Sequence, residues 1–286
     1  MKVIGFGDNV VDKYVHIDTI YPGGNCVNFA VNAKKLGVDS AYMGVFGNDE
    51  AARHIIDTLT EIGIDLSQCV QYPGENGCSE VGLVDGDRVL LGWNDGGVAN
   101  EKPMVLEKSE LDYLGEFQLI HSSCYSKTEL ELAKLRSLDS LVSFDFSEDE
   151  MFRQEDYLKK VCPNIDFALF SGGSSSVDQI KELMMKIVSY GTRYVLATRG
   201  TQGTIFFDGE TFYEGTAKIV KPIDTMGCGD SFLTAFLIHL LQYGWSKMEQ
   251  PNEETIREGL KKAADFSAEN CFIEGAFGYG KKYTAV

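Results

Sequence analysis

Asp224-Thr225-Met226-Gly227-Cys228-Gly229-Asp230 runs directly into Ser231-Phe232-Leu233-Thr234-Ala235-Phe236-Leu237. Phe232, Ala235, Phe236, Ile238 and Leu240 recur at helical spacing, so a helix starts where the glycines end. Glycine accepts positive φ and lets a ligand come close to the backbone. At a helix start it leaves unpaired N–H groups aimed at one point, which makes an anion site. Asp230 falls in the first turn, where its carboxylate lies beside the anion. Such a carboxylate suits a base that takes a proton from an attacking hydroxyl. Phosphoryl transfer needs this arrangement. The alternative is a plain strand-to-helix turn with Asp230 as a capping side chain, and a lone Gly-x-Gly would favour it.

The 286 residues are 44% hydrophobic, enough for one large α/β core with a small accessory element. No apolar run reaches membrane-spanning length, and the N-terminus reads as a strand rather than a signal peptide, so no membrane role is expected. The seven cysteines (26, 69, 78, 124, 162, 228, 271) form no CxxC, and the four histidines form no ligand pair. This argues against zinc and for reduced thiols in a cytoplasmic protein. The net charge is -17, with a pI near 4.6. That balance excludes nucleic acid as a natural partner and favours a cationic substrate. Local N–H groups and Mg²⁺ can still hold a triphosphate against the overall field.

From the N-terminus, Lys2–Gly7 reads as a buried strand with Asp8, Asn9 and Asp12 following its carboxyl end, where ligands bind in open α/β sheets. Gly23-Gly24-Asn25-Cys26-Val27-Asn28-Phe29-Ala30 opens a helix. Asn28 in its first turns can donate and accept to a sugar hydroxyl, while Asn25 reads as an N-cap. Ser40–Val45 is a strand, and Glu50–Ile62 a helix stopped by Gly63. Cys78–Val84 and Val89–Trp93 flank the turn Asp85-Gly86-Asp87-Arg88. Strands Phe117–His121, Leu141–Phe144, Phe167–Phe170 and Arg193–Ala197 alternate with helices Lys127–Ser137, Gln154–Val161 and Val177–Tyr190. This rhythm predicts a doubly wound, mostly parallel sheet. Thr204–Phe207 and Thr211–Tyr213 form a hairpin. The long helix Glu253–Asn270 carries Ala263, Ala264 and Ala268, small enough for close helix packing or for an adenine. Gly280-Lys281-Lys282-Tyr283 reads as a frayed end.

Asp-Thr-x-Gly-x-Gly-Asp at 224–230 and Gly-Gly-x-x-x-Asn-x-Ala at 23–30 resemble the two signatures of the PfkB (ribokinase-like) carbohydrate kinases, in family order. Thr198-Arg199-Gly200-Thr201-Gln202-Gly203 is similar to the family's nucleotide element. The resemblance implies one ribokinase-like domain over 1–286, with a small β lid drawn from about 12–18 and 78–93. It implies ATP and Mg²⁺ as cofactors and Asp230 as the base. The N–H groups of Gly227, Cys228 and Gly229 would hold the transferring group. Asp8, Asp12, Gly23, Gly24 and Asn28 would bind the sugar, and Thr198, Gly200, Gly203 and Thr225 the nucleotide. A homodimer through the lid is expected. Gly7-Asp8-Asn9 with Asp12, Gly23-Gly24-Asn25 with Asn28, Ser143-Phe144-Asp145-Phe146-Ser147 and Ile223-Asp224-Thr225-Met226-Gly227 look most like members acting on fructoselysine. The expected substrate is therefore a sugar or sugar-amine. Fructose, ribose or nucleoside kinases, and a sugar- or nucleotide-binding regulator without turnover, stand as alternatives. Two departures are visible. Many members place Asn-x-x-Glu where Phe170-Ser171-Gly172-Gly173-Ser174 has no carboxylate, which leaves Asp145 as the metal candidate. Cys228 stands where alanine is usual.

Overall fold

Among the described residues seven strands of the large sheet run parallel, because the helices between them carry the chain back to the same end of the sheet. The computed structural model describes residues 1–84, 87–173 and 175–283, with Asp87 and Arg88 as backbone only. Asp85 and Gly86 of the expected turn, and Ser174, lie outside the described residues. The strands in chain order are β1 (Lys2–Gly7), β2 (Val10–Tyr14), β3 (Thr19–Gly23), β4 (Asp39–Phe46), β5 (Val70–Gln71), β6 (Gly77–Val84), β7 (Asp87–Trp93), β8 (Leu119–Ser123), β9 (Leu141–Asp145), β10 (Phe167–Ser171), β11 (Tyr194–Thr198), β12 (Thr204–Phe207), β13 (Phe212–Gly215) and β14 (Lys281–Lys282). The helices are α1 (Asn25–Lys35), α2 (Glu50–Ile62), α3 (Val98–Glu101), α4 (Lys108–Leu114), α5 (Leu132–Leu135), α6 (Glu155–Val161), α7 (Val177–Ser189), α8 (Cys228–Gln242) and α9 (Glu253–Asn270).

The large sheet has the order β13-β12-β11-β10-β9-β8-β1-β4-β5, with β12 and β13 antiparallel at one edge. From β1 the chain steps to β4 on one side, then returns through β8 on the other. This reversal is the switch point where open α/β sheets bind ligands. Apolar residues of the strands fill both faces. One face packs Phe144, Phe170 and Ile205 with Leu158, Ile180 and Met184. The other packs Phe167, Leu196 and Phe206 with Phe236 of α8 and Leu260 of α9. Helix α8 is buried continuously from Ser231 to Leu240, as expected of a helix apolar all round. Ala263 and Ala264 lie in that same core, which is the packing role.

A second sheet, ordered β14-β3-β2-β6-β7, forms the lid. Its Val11, Tyr14, Tyr21 and Val81 pack with Val27 and Ala30 of α1 and Ile55 and Leu59 of α2. Three expectations need correction. The lid strands expected from about 12–18 are β2 and β3, and residues 15–18 of that span are the turn between them. Residues 280–283 are not frayed: β14 pairs with β3, and Lys281 bridges Glu50 at 2.8 Å. Their partners lie over 200 residues away, so local composition does not reveal them. Lastly, the helix expected at Lys127–Ser137 shrinks to α5. Lys127 has φ +54°, and Thr128 bonds back to Ser122 at 2.7 Å, holding the chain in turns after β8.

Candidate active site

The start of α1 is filled by the protein itself. Gly24 has φ +107°, and a Cβ there would lie 2.9 Å from Asn9 Cα and from Asp8 Oδ2. Asp8 Oδ2 accepts from the Asn25 N–H at 2.6 Å. Its Oδ1 accepts from the Ser123 and Ser126 hydroxyls, each at 2.7 Å. The carboxylate thus caps the positive end of α1 and ties β1, β8 and α1 together. A Cβ at Gly23 would lie 2.4 Å from Asp12 Oδ2, so this glycine leaves room for the buried Asp12 carboxylate. Asn9 is tied to β4, and its Oδ1 is buried with no partner among the described residues. Its Nδ2 donates to Tyr42 Oη and the Val45 carbonyl, both at 2.8 Å.

The start of α8 is open. Gly227 is its N-cap at φ +68°, with no side-chain cap, and a Cβ placed on Gly229 meets nothing within 4 Å. Beneath this loop the buried Asp224 accepts from Tyr14 Oη at 2.6 Å, Met226 N–H at 2.9 Å and Gly275 N–H at 2.8 Å. Tyr14 belongs to the lid, so lid and anion loop share one anchor. The Cys228 N–H donates to the Thr225 carbonyl at 3.2 Å, so it is spent on the turn rather than on a ligand. Half-buried Thr225 is placed by this turn. Cys228 Sγ lies 3.0 Å from Cys271 Sγ. That contact and burial hold the Cys228 thiol above its ordinary range, outweighing the helix end that would favour thiolate.

The two helix starts meet at one hydrogen bond. Asn28 Nδ2 donates to Asp230 Oδ2 at 2.6 Å across 202 residues of sequence. Asn28 Oδ1 is buried and has no partner among the described residues. A buried acceptor without a donor is costly unless a ligand supplies one. Asp145 ends β9 next to this pair. It accepts from Asn25 Nδ2 at 2.8 Å and from the Ser147 N–H at 2.7 Å. Burial, then the Asp230 carboxylate, push its carboxyl up to about 7, with a smaller contribution from Asp8. This volume is therefore short of positive charge. No group of three His, Cys, Asp or Glu among the described residues can enclose a metal ion. Mg²⁺ usually keeps several waters and rests on phosphates plus one or two carboxylates. The residues fit an Mg²⁺ that arrives with the nucleotide and faces Asp145.

On the far side, Thr198 ends β11 and leads into a short turn at Gly200–Gln202. Gly200 has open space around its Cβ position, whereas a Cβ on Gly203 would lie 2.1 Å from the Gly215 carbonyl. Gly203 is thus needed for packing against β13. Arg153 donates to the carbonyls of Ser147 at 2.5 Å and Ser171 at 2.6 Å, clamping the ends of β9 and β10. Sequence reasoning did not single out Ser123, Ser126 or Arg153, and read Asn25 as a cap and as part of the Gly23-Gly24-Asn25 string, not as a partner of Asp145. The serine-rich string at the end of β8 was the one visible signal.

A doubly wound sheet, a strand lid, an open helix start and a carboxylate in its first turn define an ATP-dependent carbohydrate kinase. The chain belongs to the pfkB family of carbohydrate kinases, whose model matches residues 1–270. It is 39% identical over 284 residues to fructosamine kinase FrlD of Bacillus subtilis (strain 168), covering 99% of this chain and 95% of that protein. It is 30% identical over 247 residues to fructoselysine 6-kinase of Escherichia coli (strain K12), covering 86% of this chain and 90% of the relative. The fold matches fructokinase with bound ATP from Xylella fastidiosa at a TM-score of 0.78, with 17% identity, over 96% of this chain and 93% of the other.

Proposed function

We propose that the protein transfers the terminal phosphoryl group of ATP to the 6-hydroxyl of a ketose carrying an amine at its other end, of the fructosamine or fructoselysine kind. The observation that carries the site reading is the bond from Asn28 to Asp230, with Asn28 Oδ1 left unpartnered. One amide group thereby holds the base and offers an acceptor to a neighbouring hydroxyl of the same sugar. The names of the two relatives and the net charge of -17 support the cationic substrate.

In this reading Asp12 and Asn28 orient the sugar, while Asp8 works one step back by fixing Gly24 and Asn25. Asp230 takes the hydroxyl proton as the oxygen attacks. The start of α8, through Gly227 and Gly229, faces the group in flight, with donors already fixed before charge develops. Thr198, Gly200 and Thr225 border the nucleotide. Asp145 would hold an Mg²⁺ ion, which would supply positive charge to offset that of the phosphates. The exposed Val84, Leu90 and Leu91 of the lid strands support a homodimer through the lid. No described helix is long and apolar enough to cross a membrane, and all seven cysteines are free thiols, which supports a cytoplasmic setting.

The test is ADP release with fructoselysine, fructose and ribose as acceptors. A kcat/KM for fructoselysine well above both neutral sugars is expected. Equal or better use of a neutral sugar would overturn the substrate assignment.

A further inference from the structure

The lid's inner face continues past Asp12. Asp12, Ser79 and Trp93 are direct partners across β2, β6 and β7, so their side chains leave the sheet on one side. Asp12 identifies that side, because its carboxylate lies against Gly23 beside Asn28. Trp93 ends the row. Its side chain is 45% exposed, yet its place is fixed. The indole sits 5.9 Å from the Tyr125 ring at 68°, and its Cζ3 is 4.0 Å from the Cβ position of Gly96. Behind it, Asn94 N–H donates to the Cys78 carbonyl at 3.0 Å, and Asn94 Oδ1 accepts from Cys78 N–H at 2.8 Å.

Tyr125 belongs to the core, not the lid. Its N–H donates to Ser123 Oγ at 3.3 Å, its hydroxyl meets Ser147 Oγ at 3.1 Å, and its ring abuts Phe152 at 5.3 Å. Ser123 and Ser147 are the residues that bond Asp8 and Asp145. Tyr125 therefore spans the rim between two carboxylates of the acceptor site. Burial pushes its phenol up to about 12, so the ring stays neutral, and the negative charges of Asp145 and Asp149 act on it. Two neutral aromatic rings, one half-open, beside carboxylates make a surface that attracts an organic cation.

We propose that Trp93 and Tyr125 form the subsite for the protonated amine of the substrate, at the opposite end of the sugar from Asp230. This rests on the sugar-amine reading above. The lid then contributes both ends of recognition: Asp12 for hydroxyls and Trp93 for the cation. Trp93 of the lid already meets Tyr125 of the core, so the amine would bind where lid and core touch.

The experiment compares three acceptors: fructoselysine, its analogue with an ether oxygen in place of the linking nitrogen, and fructose. Trp93→Leu keeps apolar bulk and removes the π face, while Trp93→Phe keeps a ring. Trp93→Leu is expected to lower kcat/KM for fructoselysine about ten-fold, mainly through KM, and to leave the ether and fructose within about two-fold. Trp93→Phe should recover part of the loss. Melting temperatures near wild type confirm that the fold is intact. If wild type prefers the amine but Trp93→Leu leaves that preference unchanged, or lowers all three acceptors equally, the subsite is refuted alone. If wild type shows no preference for the amine, the sugar-amine reading fails and the subsite with it.

Discussion

Helices α1 and α8 both begin after glycines, and their first turns are joined by Asn28 and Asp230, yet they have opposite fates. The start of α1 is occupied by Asp8, whose carboxylate already accepts the Asn25 N–H. Its glycines are demanded by crowding from Asn9, Asp8 and Asp12. The start of α8 has no side-chain cap, and Gly229 faces open space. A glycine-opened helix is therefore an anion site only when the protein has not supplied its own carboxylate. In this chain the start of α1 is occupied by Asp8 and the start of α8 is open; the proposed function gives the first to the acceptor and the second to the phosphoryl group.

The contrast can be broken at several points. Asp230→Asn should have the largest effect on turnover, lowering kcat by about 10²–10⁴ with Mg-ATP affinity retained, because the amide cannot take the proton. Wild-type kcat in that variant would remove Asp230 from the base role. Gly24→Ala and Gly229→Ala should separate the two starts. Gly24→Ala forces a side chain into φ +107° against Asn9 Cα, at about 3 kcal/mol or more of stability. Gly229→Ala should melt like wild type but turn over poorly, since its methyl enters the open space. Denaturant curves and steady-state rates on both variants check this, and swapped outcomes would invert the assignment.

A smaller effect concerns Asp145, which touches α1 through Asn25 and feels Asp230. Its carboxyl is raised from 3.8 to about 7. The folded state then binds the proton more tightly than the unfolded chain. Its stabilising contribution is whole below about pH 4 and is lost as pH rises towards about 7. Without nucleotide, the melting temperature of wild type should fall relative to Asp145→Asn across that window. Parallel curves would contradict the assignment. The smallest effect belongs to Cys228→Ala. The sulfur points to Cys271 and not into the hole, so kcat should stay within about two-fold of wild type. A dead variant would show that the thiol itself matters.

Much of this contrast was legible in the sequence, but not all. The bounds of α2, α9 and β12 follow from local signals: Gly63 ends α2 at φ +82°, and Asn252 caps α9. The glycine strings and Asp230 placed both helix starts. What local pattern cannot carry is distance. The Asn28–Asp230 bond, the pairing of β14 with β3 and the Cys228–Cys271 contact join segments far apart in the chain. Nor could sequence show that Asp8 is already satisfied by Ser123 and Ser126, or that the Cys228 N–H closes a turn. The shortened α5 has the same origin, because the turn chemistry after β8 overrides helical periodicity.

A crystal structure of the protein with ADP, aluminium fluoride, Mg²⁺ and fructoselysine would test the two helix starts together. The fluoride complex should sit on the N–H groups of Gly227 and Gly229, with one sugar hydroxyl within hydrogen-bond reach of Asp230 and a neighbouring hydroxyl within reach of Asn28 Oδ1. A fluoride complex bound away from the start of α8, or a sugar whose nearest hydroxyl lies out of reach of Asp230, would contradict it.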